Sequence, residues 1–278
     1  DYKDMVYLSD DEMREVTGSD TYYGGSYDEA EAHCHPLNYA LGIAKAALSA
    51  GAKIYENSPA TSYKVLDDHV RVNTKNGSIK ADRIVLACNG YLENLEKSLT
   101  SKILPMNNYI VATKPLDDEM VQKINPKDIA FADSRFVINY FRMSADKRLL
   151  FGGGENYSQE LSKNIVPIVT KPLEKIYPFL KGVKIDYAWG GKLAITMNRL
   201  PFFTTLKKER VISAQGYSGQ GVALASYSGK IVSEKILGNG EVFDIMAKIP
   251  RQSFPGGRFL RNPSMKIGML YYSLLDRI

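Results

Sequence analysis

Late in the chain, three glycines are spaced for ligand binding. In Arg210–Gly229, RVISAQGYSGQGVALASYSG, the apolar run Val211–Ala214 leads into Gly216, Gly219 and Gly221, and a helix-like segment follows. A strand, a glycine turn and a helix start bring backbone N–H groups and the positive end of a helix towards an anionic or carbonyl-rich edge. A plain strand-to-helix turn uses the same residues equally well. The loop lacks the Gly-x-Gly-x-x-Gly form that grips a dinucleotide pyrophosphate, and no other glycine loop in the sequence has it. Cys88–Asn89–Gly90 ends a second apolar run, Arg83–Ala87, and offers another glycine at a strand end. Tyr140 and Arg142 fall on one face of a strand by alternation and could recognise a polar substrate. An ordinary exposed face explains them as readily. Trp189–Lys192, WGGK, joins a ring to a point charge, with packing and solvation as the plainer reading. His33, Cys34 and His35 are metal-ligand types, but no second ligand cluster accompanies them and His35 precedes a helix start.

These residues need elements to hold them. Leu8–Glu15 reads as a short helix capped by Ser9, with Glu12 closing a capping box. Thr17–Asp28 is rich in turn formers. Pro36–Ser49 has helical spacing at Leu37, Leu41, Ala44 and Leu48, with Pro36 in its first turn and Gly51 as its stop. Lys53–Tyr55, Thr61–Leu66, His69–Thr74 and Ser78–Ala81 read as strands, and Asn76–Gly77 as a turn. Arg83–Ala87 has the composition of a fully buried strand. Asn108–Thr113, Phe136–Arg142, Leu149–Gly152, Ile185–Ile195 and Phe202–Thr205 predict a mostly antiparallel middle block. Gln159–Tyr177 is expected to be helical in parts, broken by Pro167 and Pro172. Gly221–Leu237 closes as a helix, and the tail has an amphipathic end around Met269–Leu275. The order predicts an α/β chain, α+β overall, with an antiparallel insertion in a nucleotide-binding domain.

The bulk numbers narrow the class. The 278 residues carry a net charge of +5, with lysines and arginines scattered, which is a solvated surface and not a nucleic-acid footprint. Hydrophobic content of 44% and charged content of 24% are those of a soluble globular protein. The two cysteines, Cys34 and Cys88, make no disulfide framework and fit a reducing, cytoplasmic setting. No apolar run reaches membrane-spanning length, and Asp1–Ser9 is too polar for a signal peptide. The chain opens at Asp1 in mid-pattern, so upstream sequence is expected.

Taken in order, these segments resemble the D-amino-acid-oxidase-like superfamily of FAD-dependent amine oxidases, and within it the gamma-glutamylputrescine oxidases. The likeness is carried by His35–Gly42 (HPLNYALG), Arg83–Gly90, Asn139–Arg142 and Arg148–Gly154 (NYFR and RLLFGGG). It continues through Tyr187–Pro201 (YAWGGKLAITMNRLP), Gln215–Gly221, Phe254–Arg258 and Met269–Asp276. The order of these motifs is more specific than any one of them. The family's first strand, with its Gly-x-Gly-x-x-Gly loop and ribose-binding acid, has no counterpart here. The resemblance therefore implies a fragment, or a variant without its ADP-binding part.

The resemblance implies a truncated FAD-binding, Rossmann-like domain at 1–104 and 206–240, a substrate domain at 105–205 and a tail at 241–278. It implies non-covalent FAD and small-molecule partners: an amine and O2. A primary or secondary amine, gamma-glutamylputrescine-like, would go to imine and aldehyde with formation of H2O2, as in putrescine catabolism. Gly216, Tyr217, Ser218, Gly219, Gln220 and Gly221 would face the flavin's pyrimidine edge, with Cys88, Asn89 and Gly90 beside the cofactor and Ala60 near the adenine. Tyr140, Arg142, Trp189, Lys192 and Asn198 would line the substrate side. Amino-acid-oxidising relatives carry an arginine where Lys192 stands, and lysine is a poorer carboxylate fork. That departure favours a polyamine-derived amine over an α-amino acid. The other readings are a catalytically silent fragment that does not retain FAD, and a glycine- or D-amino-acid-oxidase-like enzyme.

Overall fold

The computed structural model describes residues 3–153, 160–257, 260, 263 and 267–268. Gly154, Gln159, Arg258 and the amphipathic stretch expected at Met269–Leu275 lie outside the described residues. The first elements are β1 (Met5–Leu8), α1 (Asp10–Thr17), β2 (Gly25–Asp28), α2 (Pro36–Ser49), β3 (Ala60–Val65), β4 (Val70–Thr74), β5 (Ser78–Ala81), β6 (Ile84–Leu86) and α3 (Lys97–Thr100). Then come β7 (Leu104–Thr113), α4 (Asp118–Ile124), β8 (Phe131–Ala132), β9 (Tyr140–Met143), β10 (Leu149–Gly152) and α5 (Val166–Ile176). The last are β11 (Ile185–Ile195), β12 (Phe202–Leu206), β13 (Val211–Gln215), α6 (Gly221–Ile236) and α7 (Glu241–Ala247). Contacts divide the chain into two compact units. The first takes in Asp1–Leu41 and Asn107–Gly191, and the second Gly42–Met106 and Lys192–Met269.

The first unit is built on a five-stranded sheet of order β11-β7-β10-β9-β8. The pairs β7–β10, β10–β9 and β9–β8 are antiparallel. One face of β9 supplies Phe141 and Met143 to a core shared with Phe151, Val169, Leu173 and Tyr177. Phe141 stacks on Phe151 at 5.5 Å between ring centroids and meets the Tyr177 ring edge-on at 5.6 Å. Alternation explains the strand: Phe141 and Met143 are buried, while Tyr140 and Arg142 are partly exposed. The chain's beginning joins this unit through polar contacts. Ser19 Oγ donates to the Ile176 carbonyl at 2.7 Å, and Tyr177 Oη donates to the Thr17 carbonyl at 2.8 Å. The capping box forms as expected, with the Ser9 N–H donating to Glu12 at 2.7 Å and Gly18 closing α1 in the left-handed region.

The second unit holds two three-stranded sheets, β12-β13-β6 and β3-β4-β5. β13 runs parallel to β6 and antiparallel to β12. Ile212 and Ala214 face α6 and α7, in a cluster with Phe203, Ile231, Val232 and Phe243. Val211 belongs to the opposite cluster, with Leu86, Leu92, Leu99 and Phe202. A carboxylate ties this second cluster to its surroundings. Glu96 caps α3, accepting from the Ser98 N–H at 3.0 Å and the Ser98 hydroxyl at 2.7 Å. It also accepts a short hydrogen bond from the Tyr63 hydroxyl on β3 and has Lys207 Nζ at 3.4 Å.

Several expectations need correction. Lys53–Tyr55 is not a strand; Ile54 and Tyr55 are exposed and pair with no neighbour among the described residues. Thr17–Asp28 contains β2, which pairs antiparallel with β1. Arg83–Ala87 is not fully buried: Leu86 is 1% exposed but Val85 is 41% exposed. Pro167 and Pro172 do not break the helix, since α5 runs through both. Its buried residues Val169, Leu173 and Ile176 lie on one face, and their burial outweighs the missing hydrogen bond of Pro172. No described helix is long and apolar enough to cross a membrane.

The Glu96 latch has a measurable signature. Burial alone would raise its pKa, but the hydrogen bonds from Tyr63 and Ser98, with Lys207 nearby, hold it at about 2 against an ordinary 4.5. A carboxyl held low in the folded state adds stability above its unfolded pKa, and that stability is lost as pH falls from 4.5 towards 2. Tyr63→Phe is expected to lower stability by about 1–3 kcal/mol at neutral pH in urea unfolding. Glu96→Gln should flatten the acid limb; an acid limb identical to that of the parent chain would remove Glu96 from this role.

Candidate functional site

The glycine loop is held in place from three sides. It leaves β13 at Gln215 and starts α6 at Gly221. Gly216 has φ +81°, and its N–H donates to the Asn89 side-chain oxygen at 3.0 Å. The Ser218 N–H donates to the Ala194 carbonyl of β11 at 2.9 Å, and the Gln220 N–H to the Tyr217 carbonyl at 3.0 Å. Tyr217 is buried and its hydroxyl donates back to the Ala214 carbonyl at 3.1 Å. Gly219, at φ +102°, has nothing within 4 Å of where a Cβ would lie, so the loop crest is bare.

Behind this crest, α6 starts without a side-chain cap and without an acidic residue in its first turn. Its leading N–H groups and the positive end of its dipole are left for an outside acceptor. One residue before the loop, Gln215 is fully buried, and neither amide atom has a hydrogen-bond partner among the described residues. A bare loop crest and an uncapped sixteen-residue helix suit a carbonyl-rich or anionic cofactor edge. The residues present therefore fit a flavin ring, and Gly216–Gly221 with the start of α6 would hold it.

Cys88–Gly90 sits beside this loop. Asn89 begins a short 3-10 turn at φ +48° and pins Gly216 through its side chain. Gly90 is bare for a packing reason: a Cβ there would lie 2.6 Å from the Lys192 carbonyl oxygen. Cys88 is half-buried, and burial pushes its thiol pKa up. Ala60 stands elsewhere, exposed at the start of β3, where the β3–β4 register is irregular. The Lys192 N–H donates to Tyr91 Oη at 3.0 Å, and its ammonium lies 5.9 Å from the Tyr91 ring centroid. Asn198 is exposed, donates to the Pro250 carbonyl at 3.2 Å and accepts from the Leu200 N–H at 3.2 Å, so its amide secures a turn.

The first unit carries the other expected residues. Tyr140 lies across the sheet from β9 towards β7, and its hydroxyl donates a short hydrogen bond to Asn108 Oδ1. Gly152 faces it in register, and a Cβ there would collide with the Tyr140 ring. Burial raises the Tyr140 pKa to about 12, against the lowering effect of Asn108. Arg142 donates to the Met143 carbonyl at 3.1 Å and the Cys34 carbonyl at 2.9 Å, both neutral acceptors. Trp189 is 44% exposed on β11. Gly190 lets β11 approach β7, because a Cβ there would lie 2.7 Å from the Tyr109 ring. His33 Nε2 lies 2.8 Å from the Asp128 carbonyl, and no three His, Cys, Asp or Glu side chains gather as a metal site among the described residues. Sequence reasoning missed Asn108, Gly152 and Gln215. Only cross-strand register reveals the first two, and a buried glutamine has no periodic signal.

Known proteins resemble this chain over most of its length. The family model described as "FAD dependent oxidoreductase" (DAO) matches residues 2–235. Gamma-glutamylputrescine oxidoreductase of Escherichia coli K12 is 36% identical over 277 residues, covering 99% of this chain and 65% of its own length. The probable oxidoreductase OrdL of Haemophilus influenzae is also 36% identical, over 99% of this chain and 64% of its own. The chain thus spans just under two thirds of these curated relatives. The crystal structure of glycine oxidase from Geobacillus kaustophilus shares the fold, with a TM-score of 0.74 at 19% identity over 89% of this chain and 67% of that one. Since the family match runs from before β1 to within one residue of the end of α6, the chain belongs to the DAO family of FAD-dependent oxidoreductases.

Proposed function

We propose that the chain forms the flavin-facing and substrate-binding part of an amine oxidoreductase acting on a gamma-glutamylputrescine-like primary or secondary amine. The observation that carries this reading is the bare crest at Gly219, within the loop Gly216–Gly221, in front of the uncapped start of α6. FAD, held non-covalently, would accept a hydride from the C–H beside the amine nitrogen. The amine would lose that hydride and one proton to become an imine, water would add and release ammonia or the free amine with the aldehyde, and O2 would take up the two electrons, with two protons, and leave as H2O2. The N–H groups at the start of α6 favour negative charge on the side they face. The name of the E. coli relative supports the substrate class. Free Cys34 and Cys88 are in keeping with a cytoplasmic setting.

Individual side chains have separate tasks in this reading. Arg142 is half-buried and bonded only to neutral carbonyls among the described residues, which leaves its charge for a substrate carboxylate. Tyr140 stays protonated up to about pH 12, so it binds and shapes and does not act as a base. Lys192, with its ammonium near the Tyr91 ring, offers a point charge and not a bidentate fork.

A second reading has its own support. α2 is apolar and has no buried residue; Leu37, Leu41 and Leu48 are each more than half exposed. In that reading a polypeptide that leaves such a helix uncovered holds the flavin-facing loop without retaining the cofactor, as a catalytically silent chain. An absorbance scan of the purified chain mixed with FAD and desalted separates the two. A stoichiometric flavin spectrum is expected from the first reading, and a colourless protein from the second.

Peroxide release then tests the substrate. Activity with gamma-glutamylputrescine above that with glycine or D-alanine is expected; activity on the amino acids alone would overturn the substrate assignment. Arg142→Gln should raise KM by about tenfold or more with kcat little changed, as loss of a charge-assisted hydrogen bond requires. Asn89→Ala, which frees Gly216, should weaken FAD retention about fivefold, the equivalent of one ordinary hydrogen bond.

A further inference from the structure

A groove on the second unit has a chemistry that flavin binding does not use. It is open to solvent, is lined by residues 98, 99 and 102, β12 and residues 247–251, and has a volume of about 660 Å³. That lies within the range of about 300–1,000 Å³ usual for small-molecule sites. Its walls include the apolar side chains Leu99, Leu206 and Ile249. Its charged groups are Lys102, Lys248 and Arg251, and none of the described residues that line it is acidic.

Among the described residues, no carboxylate lines the groove beside these cations. Elsewhere in this unit lysines meet carboxylates, as Lys207 meets Glu96 at 3.4 Å and Lys235 meets Asp244 at 3.0 Å. In the groove, the hydrogen bonds go to neutral oxygens. Lys102 Nζ donates to the Arg251 carbonyl at 3.0 Å. Arg251 donates to Thr204 Oγ1 at 2.7 Å and to the Ala247 carbonyl at 2.9 Å. Its guanidinium lies 5.7 Å from the ring centroid of buried Phe202. These contacts use two of the five N–H donors of Arg251 and hold the rest in a fixed plane. The Arg251 backbone also anchors Lys102, so two positive groups share one frame. An anion with an apolar body complements this surface, its head meeting the cations and its body the apolar walls.

We propose that this groove binds a small amphiphilic anion, a carboxylate or phosphate head on an aliphatic body. The head meets Arg251 and Lys102, and the body lies along Leu99, Leu206 and Ile249. The site does not depend on the flavin reading. Isothermal titration of the full chain with decanoate and with decyl phosphate tests it, against acetate, inorganic phosphate and decyltrimethylammonium. The first two should bind at least tenfold tighter than any of the other three. Lys102→Gln should weaken decanoate by about threefold to tenfold, up to the loss of one charge-assisted contact, and Lys248→Gln, which removes only a neighbouring charge, by about twofold, with both variants still folded by circular dichroism. Arg251→Lys keeps the charge but loses the fork, so it should weaken binding in a chain that still folds. Equal binding of decyltrimethylammonium would overturn the proposal, as would unchanged affinity in the lysine variants. Capture by anionic vesicles without binding of monomeric decanoate would assign the groove to a membrane surface, and would overturn it too.

Discussion

One hydrogen bond, from the Gly216 N–H to the Asn89 side chain, joins the two strand ends on which the cofactor reading rests. β6 and β13 are parallel neighbours, so their carboxyl ends lie side by side, where open α/β sheets take ligands. Each strand exits through a residue in the left-handed region, Asn89 at φ +48° and Gly216 at φ +81°. Asparagine tolerates that conformation and glycine adopts it freely. The end of β11 completes the arrangement. Its Lys192 carbonyl leaves no room for a side chain at Gly90, and its Ala194 carbonyl receives the Ser218 N–H. One strand therefore sets both the turn after β6 and the loop after β13. Substitutions at these contacts should couple, since they share partners.

In the first unit the corresponding constraint is steric. β9 turns Phe141 and Met143 into the core, and that burial fixes the opposite direction for Tyr140 and Arg142. The Tyr140 ring can lie flat over the sheet only because Gly152 opposite it has no side chain. Asn108 then receives the hydroxyl, so three strands, β9, β10 and β7, determine the position of one phenol. Arg142 is steadied by two backbone carbonyls, which orient the guanidinium without neutralising it. Charge that is held in place and left unpaired is the arrangement that favours binding an anionic group.

Much of this was legible in the residues because it depends on local periodicity. The alternation of β9, the span of β11, the capping box of α1 and the strand–glycine–helix order around Gly216 all follow from neighbours a few positions apart. What was not legible depends on distant partners. Nothing in WGGK itself shows that Gly190 is required by Tyr109, a residue far away in sequence. The hydrogen bonds of Asn198 to the Pro250 carbonyl and the Leu200 N–H are likewise invisible in its local sequence. Pro172 reads as a helix breaker, and only the buried face of α5 shows why it is tolerated. Lys53–Tyr55 has the composition of a strand and no strand beside it among the described residues.

The exposure of α2 bears on cofactor retention and on stability together. A fourteen-residue helix is marginal in water, and most helices gain their stability by burying an apolar face. α2 has such residues in Leu37, Leu41, Ile43 and Leu48, and all of them are exposed. Val85, on the short strand β6, is exposed as well. Exposed apolar side chains along one helix mark a place for a further layer of protein, or else a site of aggregation. The interaction that covers α2 would also raise the population of the folded state that presents the Gly216–Gly221 loop. By linkage, anything that binds only that folded state stabilises it in turn, so FAD affinity and the covering of α2 should vary together.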